Sequence, residues 1–108
     1  MRYLIRHITL FKPFKKRVID MHCVYVIQNE DGKLYYGYSG NLKERIKGHN
    51  ADDNIGYTRG SKWKLVYYEA YTEKADALKR EKSLKKSGNA RKQLKERIRN
   101  SLDSLKSE

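Results

Sequence analysis

Acidic residues are scarce in this sequence and nowhere clustered; the only adjacent pairs are Glu30-Asp31 and Asp52-Asp53. The sequence therefore offers no cluster of carboxylates of the kind that cages a hard cation. Cysteine occurs once, as Cys23, so no internal disulfide can form. A lone thiol within an apolar run reads as a small buried hydrophobe and suits a reducing compartment, so we expect a cytoplasmic protein. No apolar run approaches the roughly 20 residues of a membrane span, and a membrane partner is not expected. Proline also occurs once, as Pro13, near the basic start of the chain.

What is abundant is positive charge and tyrosine. With 25 Lys and Arg against 13 Asp and Glu, the formal net charge is +12. Such a surface attracts polyanions, and release of counterions from DNA or RNA is the usual driving force for binding. Nine tyrosines supply rings for a modest core, and hydroxyls that can meet water or phosphate. The chain's 108 residues allow a single domain.

Residues 1–20 hold six Lys and Arg before the first acid, Asp20. They lack the layout of a secretory signal. They are expected to be a basic, loosely ordered extension, or residues added by an upstream start, ahead of a domain over 21–105. Within that domain HCVYVIQ (22–28) and KLYYGY (33–38) predict a hairpin across Asn29-Glu30-Asp31-Gly32. LKERIKGH (42–49) places Leu42, Ile46 and His49 on one helical face. WKLVYYE (63–69) predicts a third strand. Thr72-Glu73 then opens a helix carrying Ala75, Leu78 and Leu84, which Ser87-Gly88-Asn89 ends. A last helix over about 90–105 shows Leu94, Ile98, Leu102 and Leu105 as an apolar stripe. The expected fold is α+β: a small three-stranded antiparallel sheet flanked by helices, in the order β-β-α-β-α-α.

Cutting a phosphodiester requires an oriented water, an offset for phosphate charge and a stabilised leaving oxygen. Without an acid cluster, such a site must use one carboxylate with Tyr, His and Arg. Those parts occur in order: Tyr25, Tyr35-Tyr36-Gly37, Arg45 and His49 one turn apart, and Glu81. Taken alone each has a plainer reading. Glu81 can pair with Lys85 at i+4, Arg45 can be an exposed helix arginine, and the tyrosines can be half-buried strand packing.

Together these elements resemble the GIY-YIG nuclease family, and most closely its short stand-alone bacterial members. Cys23-Val24-Tyr25 stands at the first tripeptide and keeps only its tyrosine; Tyr35-Tyr36-Gly37 stands at the second. NLKERIKGHN carries the Arg-x-x-x-His pattern, and YTRGSKWKLVYYEAY with ALKREKSLKKSG resembles the third strand and the Arg-Glu helix. The resemblance covers about residues 22–100. It implies a metal-dependent endonuclease acting on DNA, with RNA not excluded, in which Glu81 is the sole protein ligand of Mg²⁺ or Mn²⁺. Arg45 would grip the scissile phosphate, and Tyr25 and Tyr35 would orient or deprotonate the water, with His49 a rival base. Asn89 or Gln93 would stand where many members carry a supporting Asn.

Tyr38, Lys47 and Arg59 are further candidates for contact with the substrate backbone, as are Arg80, Lys85, Lys86 and Arg91 within the basic stretch 79–99. Such contacts position a backbone but read no sequence. A monomer is favoured, and repair, recombination and mobile-element defence fit equally well. The competing expectations are a binding protein whose chemistry has lapsed and a scaffold competent only with a partner.

Overall fold

The computed structural model describes residues 21–52, 54 and 56–106, with side chains described through Leu102. The extension at 1–20, Asp53 and the Leu105 side chain lie outside the described residues.

The apolar, β-branched run forms β1 (His22–Asn29), and the tyrosine-rich run forms β2 (Leu34–Ser39). Asn29 closes the turn between them by accepting from the backbone N–H of Asp31 and Lys33 through Oδ1, at 3.0 and 2.9 Å. Gly32 supplies the positive φ of 86° that the turn requires. The third strand, β3 (Trp63–Tyr71), is two residues longer than expected and pairs antiparallel with β1, giving the order β2-β1-β3. Val26 faces Tyr67 and Ile27 faces Leu65, so Val66 is the extra residue of a bulge.

Among the described residues four helices accompany the sheet: α1 (Leu42–His49), α2 (Lys74–Lys86), α3 (Gly88–Arg97) and α4 (Arg99–Lys106). The single C-terminal helix expected from the leucine spacing is thus two. The break falls at Ile98, whose backbone (φ −108°, ψ 23°) leaves the helical range while its side chain stays buried. Ser87 does more than end α2, because its hydroxyl accepts from the Ala90 N–H and caps α3.

Strand alternation divides the core in two. Val24, Val26 and Tyr36 face α2 and α3, where Ala77, Leu84, Leu94 and Ile98 cover them. Tyr25, Ile27 and Trp63 face the other way, against Tyr35 and the Leu42 and Ile46 of α1. On α2 the buried stripe is Ala77 and Leu84, whereas Ala75 and Leu78, expected to share it, are exposed.

Two polar clamps hold the layers together. Arg80 of α2 donates three hydrogen bonds of 3.0–3.1 Å to Glu69 of β3. Tyr67 and Tyr71 also donate to that carboxylate. Burial opposes the Glu69 charge, but the bonds from Arg80, Tyr71 and Tyr67 hold the group below the usual carboxylate range. Burial and the Glu69 contact push Tyr71 up to about 12. At the other end, the Asn50 side chain takes both backbone groups of Trp63, accepting from its N–H at 2.7 Å and donating to its C=O at 3.0 Å.

Leu84 is fully buried where α2 meets β1 and β2. Leu84→Ala should therefore cost about 2–5 kcal/mol of stability, measured by urea denaturation monitored by circular dichroism.

Candidate active site

Tyr25 can reach toward the edge of the sheet because its partner in β2 is glycine. A Cβ at position 37 would lie 2.4 Å from the Tyr25 hydroxyl and Cζ, a distance no side chain tolerates. The phenol is fully buried in the space this leaves. Its hydroxyl lies 2.6 Å from His49 Nε2 and 3.3 Å from Arg45 Nε, both on α1.

The spacing of Arg45 and His49 on α1 brings both side chains to the one phenol. Asn41 caps the start of this helix through the Glu44 N–H. His49 is held on its other side, with Nδ1 2.7 Å from Thr58 Oγ1. Asn54 donates to that same Thr58 oxygen at 2.7 Å, and the Trp63 indole N–H donates to the Thr58 carbonyl at 2.8 Å. A buried phenol must donate its proton, and its only acceptor among the described residues is Nε2. The Nδ1–H of His49 consequently donates to Thr58.

Burial raises the Tyr25 pKa, with the hydrogen bond and charge of Arg45 opposing it. The phenol is therefore neutral at physiological pH. Burial lowers the His49 pKa, and the neighbouring Arg45 charge lowers it further, so the imidazole is neutral too. The hydrogen bond with Tyr25 in turn raises the pKa of the Arg45 guanidinium. The result is a fixed cation beside two neutral proton carriers.

Tyr35 completes the group from β2. Its half-buried ring meets the edge of His49, with centroids 5.2 Å apart, and tilts toward Tyr25 at 6.4 Å. Exposed Tyr57 stacks on it at 5.8 Å and 26°. Tyr35, Arg45 and His49, with Asn54, Tyr57 and Thr58 across from them, line a cleft of about 310 Å³. Glu81 stands on α2, outside that cleft. Its partner Lys85, 3.3 Å away, sits 5.4 Å from the centroid of the Tyr35 ring. The Glu81 charge also bears on the Tyr25 phenol.

The structure thus gathers Tyr25, Tyr35, Arg45 and His49 directly and brings Glu81 alongside. The other candidates divide. Tyr38 is on the opposite face of the sheet, stacked with His22 and bonded to its Nδ1 at 2.8 Å, so it does not share a face with the group. Arg80 is committed to Glu69. Arg91 donates to the Leu84 and Lys85 carbonyls and so closes the C-terminus of α2. Lys47 pairs with Glu44 at 3.9 Å on the exposed side of α1. Arg59 and Lys86 are exposed, as are Asn89 and Gln93 on α3. No group of three His, Cys, Asp or Glu converges among the described residues.

Asn54, Thr58 and Tyr57 escaped the sequence reading. The first two lie in a polar loop with no periodicity to mark them. Tyr57 had one available signal, an aromatic side chain alone in a glycine-bounded polar segment.

Residues 21–98 match the family model of the GIY-YIG catalytic domain. A UPF0213 protein of Staphylococcus epidermidis is 41% identical over 68 residues, covering 62% of this chain and 83% of that protein. A UPF0213 protein of Halobacterium salinarum is 39% identical over 74 residues, covering 68% of this chain and 96% of its own length. One from Haloquadratum walsbyi is 36% identical over 75 residues, covering 68% of this chain and 84% of that protein. No solved structure matches. With its hairpin tyrosines, its arginine–histidine helix and this match across most of its length, the chain belongs to the GIY-YIG family.

Proposed function

We propose that the protein is a metal-dependent endonuclease that hydrolyses phosphodiester bonds in DNA. The observation that carries the reading is the convergence of Arg45, two phenols and a neutral histidine beside the lone carboxylate Glu81. A single carboxylate suits a hard cation that keeps most of its coordination for water and phosphate oxygens, such as Mg²⁺ or Mn²⁺. Glu81 would hold it, exchanging its contact with Lys85 for the ion. Such an ion offsets charge on the phosphate and on the leaving oxygen.

The chain's own residues supply the rest. Arg45, with Nε fixed on Tyr25, would hold the scissile phosphate through the outer part of its guanidinium, beside Tyr35. Tyr35, the phenol that solvent reaches, orients the attacking water. Tyr25 is a positioning residue, since its fully buried hydroxyl ties Arg45 to His49. Neutral His49 keeps Nε2 open as the terminal acceptor of that chain. Exposed lysines and arginines on α2 and α3 provide a surface for the backbone without reading sequence.

Plasmid, single-stranded and branched DNA incubated with and without Mg²⁺ or Mn²⁺ test the reading directly. Cleavage should require metal and fall at least about 10³-fold in Glu81→Ala. Binding without cleavage of any substrate would sink the proposal and favour the lapsed-site reading; equal cleavage by the variant would reveal a contaminant.

The cleavage rate should also fall in acid, once pH drops through the His49 pKa that burial and Arg45 hold below the ordinary histidine value, because protonated His49 can no longer accept from Tyr25. Stability starts to fall at a higher pH than the rate does: between the ordinary histidine pKa of about 6.5 and the lower folded value the unfolded chain binds more protons, so stability drops as pH drops through that interval. A His49→Gln variant should flatten both dependences, read from parallel rate and denaturation series between neutral pH and mild acid.

Gly37→Ala forces the Tyr25 ring aside. It should lower cleavage by about 10²-fold or more, matching Tyr25→Phe in a side-by-side assay.

A further inference from the structure

The sheet face turned away from Tyr25 carries a polar recess of its own. Gln28 of β1 and Tyr36 of β2 form its floor, Lys33 its turn side, Arg91 and Lys95 of α3 its wall, and Leu102 of α4 its apolar end. The volume is about 450 Å³, within the range of about 300–1,000 Å³ that small-molecule sites occupy.

Two features set this recess apart from a crevice between helices. Gln28 is 3% exposed and Tyr36 is 9% exposed, yet among the described residues the Gln28 Oε1 and the Tyr36 hydroxyl have no hydrogen-bond partner. The Gln28 amide is not free to turn, because its Nε2 donates to the Gly32 carbonyl at 3.3 Å and leaves the oxygen as the unpaired end. Buried polar groups in folded proteins are nearly always satisfied, so a matched pair of orphans points to a partner from outside. The second feature is charge. Lys33, Arg91 and Lys95 line the recess, and among the described residues no acid joins its walls and none of the three is ion-paired. Arg91 uses Nη1 on the carbonyls of Leu84 and Lys85, which fixes the guanidinium and leaves Nη2 and Nε to a ligand.

We propose that this recess binds a nucleoside phosphate, its base edge on Gln28 and Tyr36 and its phosphate on Lys33, Arg91 and Lys95. A base edge offers an N–H for the Gln28 oxygen beside an acceptor for the Tyr36 hydroxyl; inorganic phosphate fits the cations alone. The nucleotide comes either free or as the end of a strand. The two sources share the chemistry and differ only in whether the nucleotide is joined to further nucleotides. The site is independent of the cleavage reading, since its groups lie on the other face of the sheet from Tyr25, Arg45 and His49.

The test is a titration of the full, isotope-labelled chain in EDTA, read by amide and side-chain resonances, so that no cleavage enters. Adenosine 5′-monophosphate, guanosine 5′-monophosphate, adenosine, inorganic phosphate and a short 5′-phosphorylated oligonucleotide are the probes. The expected result is saturable binding of a mononucleotide or the oligonucleotide that shifts the Gln28 side-chain amide and Tyr36. Adenosine and phosphate should bind more weakly, and the affinity should fall about tenfold in Gln28→Leu and in Lys95→Glu. Lys95 is exposed, so its variant keeps the test valid should Gln28→Leu misfold. The ratio of mononucleotide to oligonucleotide affinity identifies the source. Absence of saturable binding, shifts confined to the Tyr25 face, equal binding of inorganic phosphate, or unchanged affinity in Lys95→Glu would each overturn the proposal.

Discussion

The Tyr25 phenol occupies the volume that a side chain at position 37 would need, and most of the candidate site depends on that exchange. A buried hydroxyl has to be paired. The partners lie on α1, which fixes where that helix sits against the sheet. His49, once committed to the phenol, must be satisfied at its other nitrogen. Thr58 does this, and the Trp63 indole and Asn54 hold Thr58 in turn. One missing side chain in β2 therefore propagates through Tyr25 and His49 to Thr58 and Asn54.

The other half of the site depends on how α2 is turned. Ala77 and Leu84 define its buried stripe, and Arg80 and Glu81 flank that stripe on opposite sides. Arg80 is anchored to Glu69 on β3, at one edge of the sheet. Glu81 and Lys85 consequently come down beside Tyr35 on β2, at the other. The neighbouring residues Arg80 and Glu81 thus serve different ends, one orienting the helix and one facing the phenols.

The sheet, the hairpin turn and α1 were legible because each is written in local pattern: β-branched and aromatic runs, a glycine at the turn, a capped helix with arginine and histidine one turn apart. The convergence of Tyr25, Arg45 and His49 was legible only through their order along the chain. The features that stayed hidden are nonlocal. Arg80 looked like one more cation in a basic stretch, since its partner Glu69 lies 11 residues away in a different element. Tyr38 stands close to the site tyrosine Tyr35 in sequence, but strand alternation puts it against His22 on the other face. The break at Ile98 carries no proline or glycine, and composition could not announce it. Thr58 acts through its hydroxyl and its carbonyl oxygen, for which a polar loop gives no sequence signal.

Asn50 carries a different kind of consequence. By taking both backbone groups of Trp63, its side-chain amide stands where an additional strand would pair at the start of β3. An outer strand with open backbone groups is a template for edge-to-edge association between molecules. Here the row is interrupted at its first residue by the amino acid directly after His49, so the stretch of chain that presents the histidine also occupies the first backbone pair on the outer side of β3.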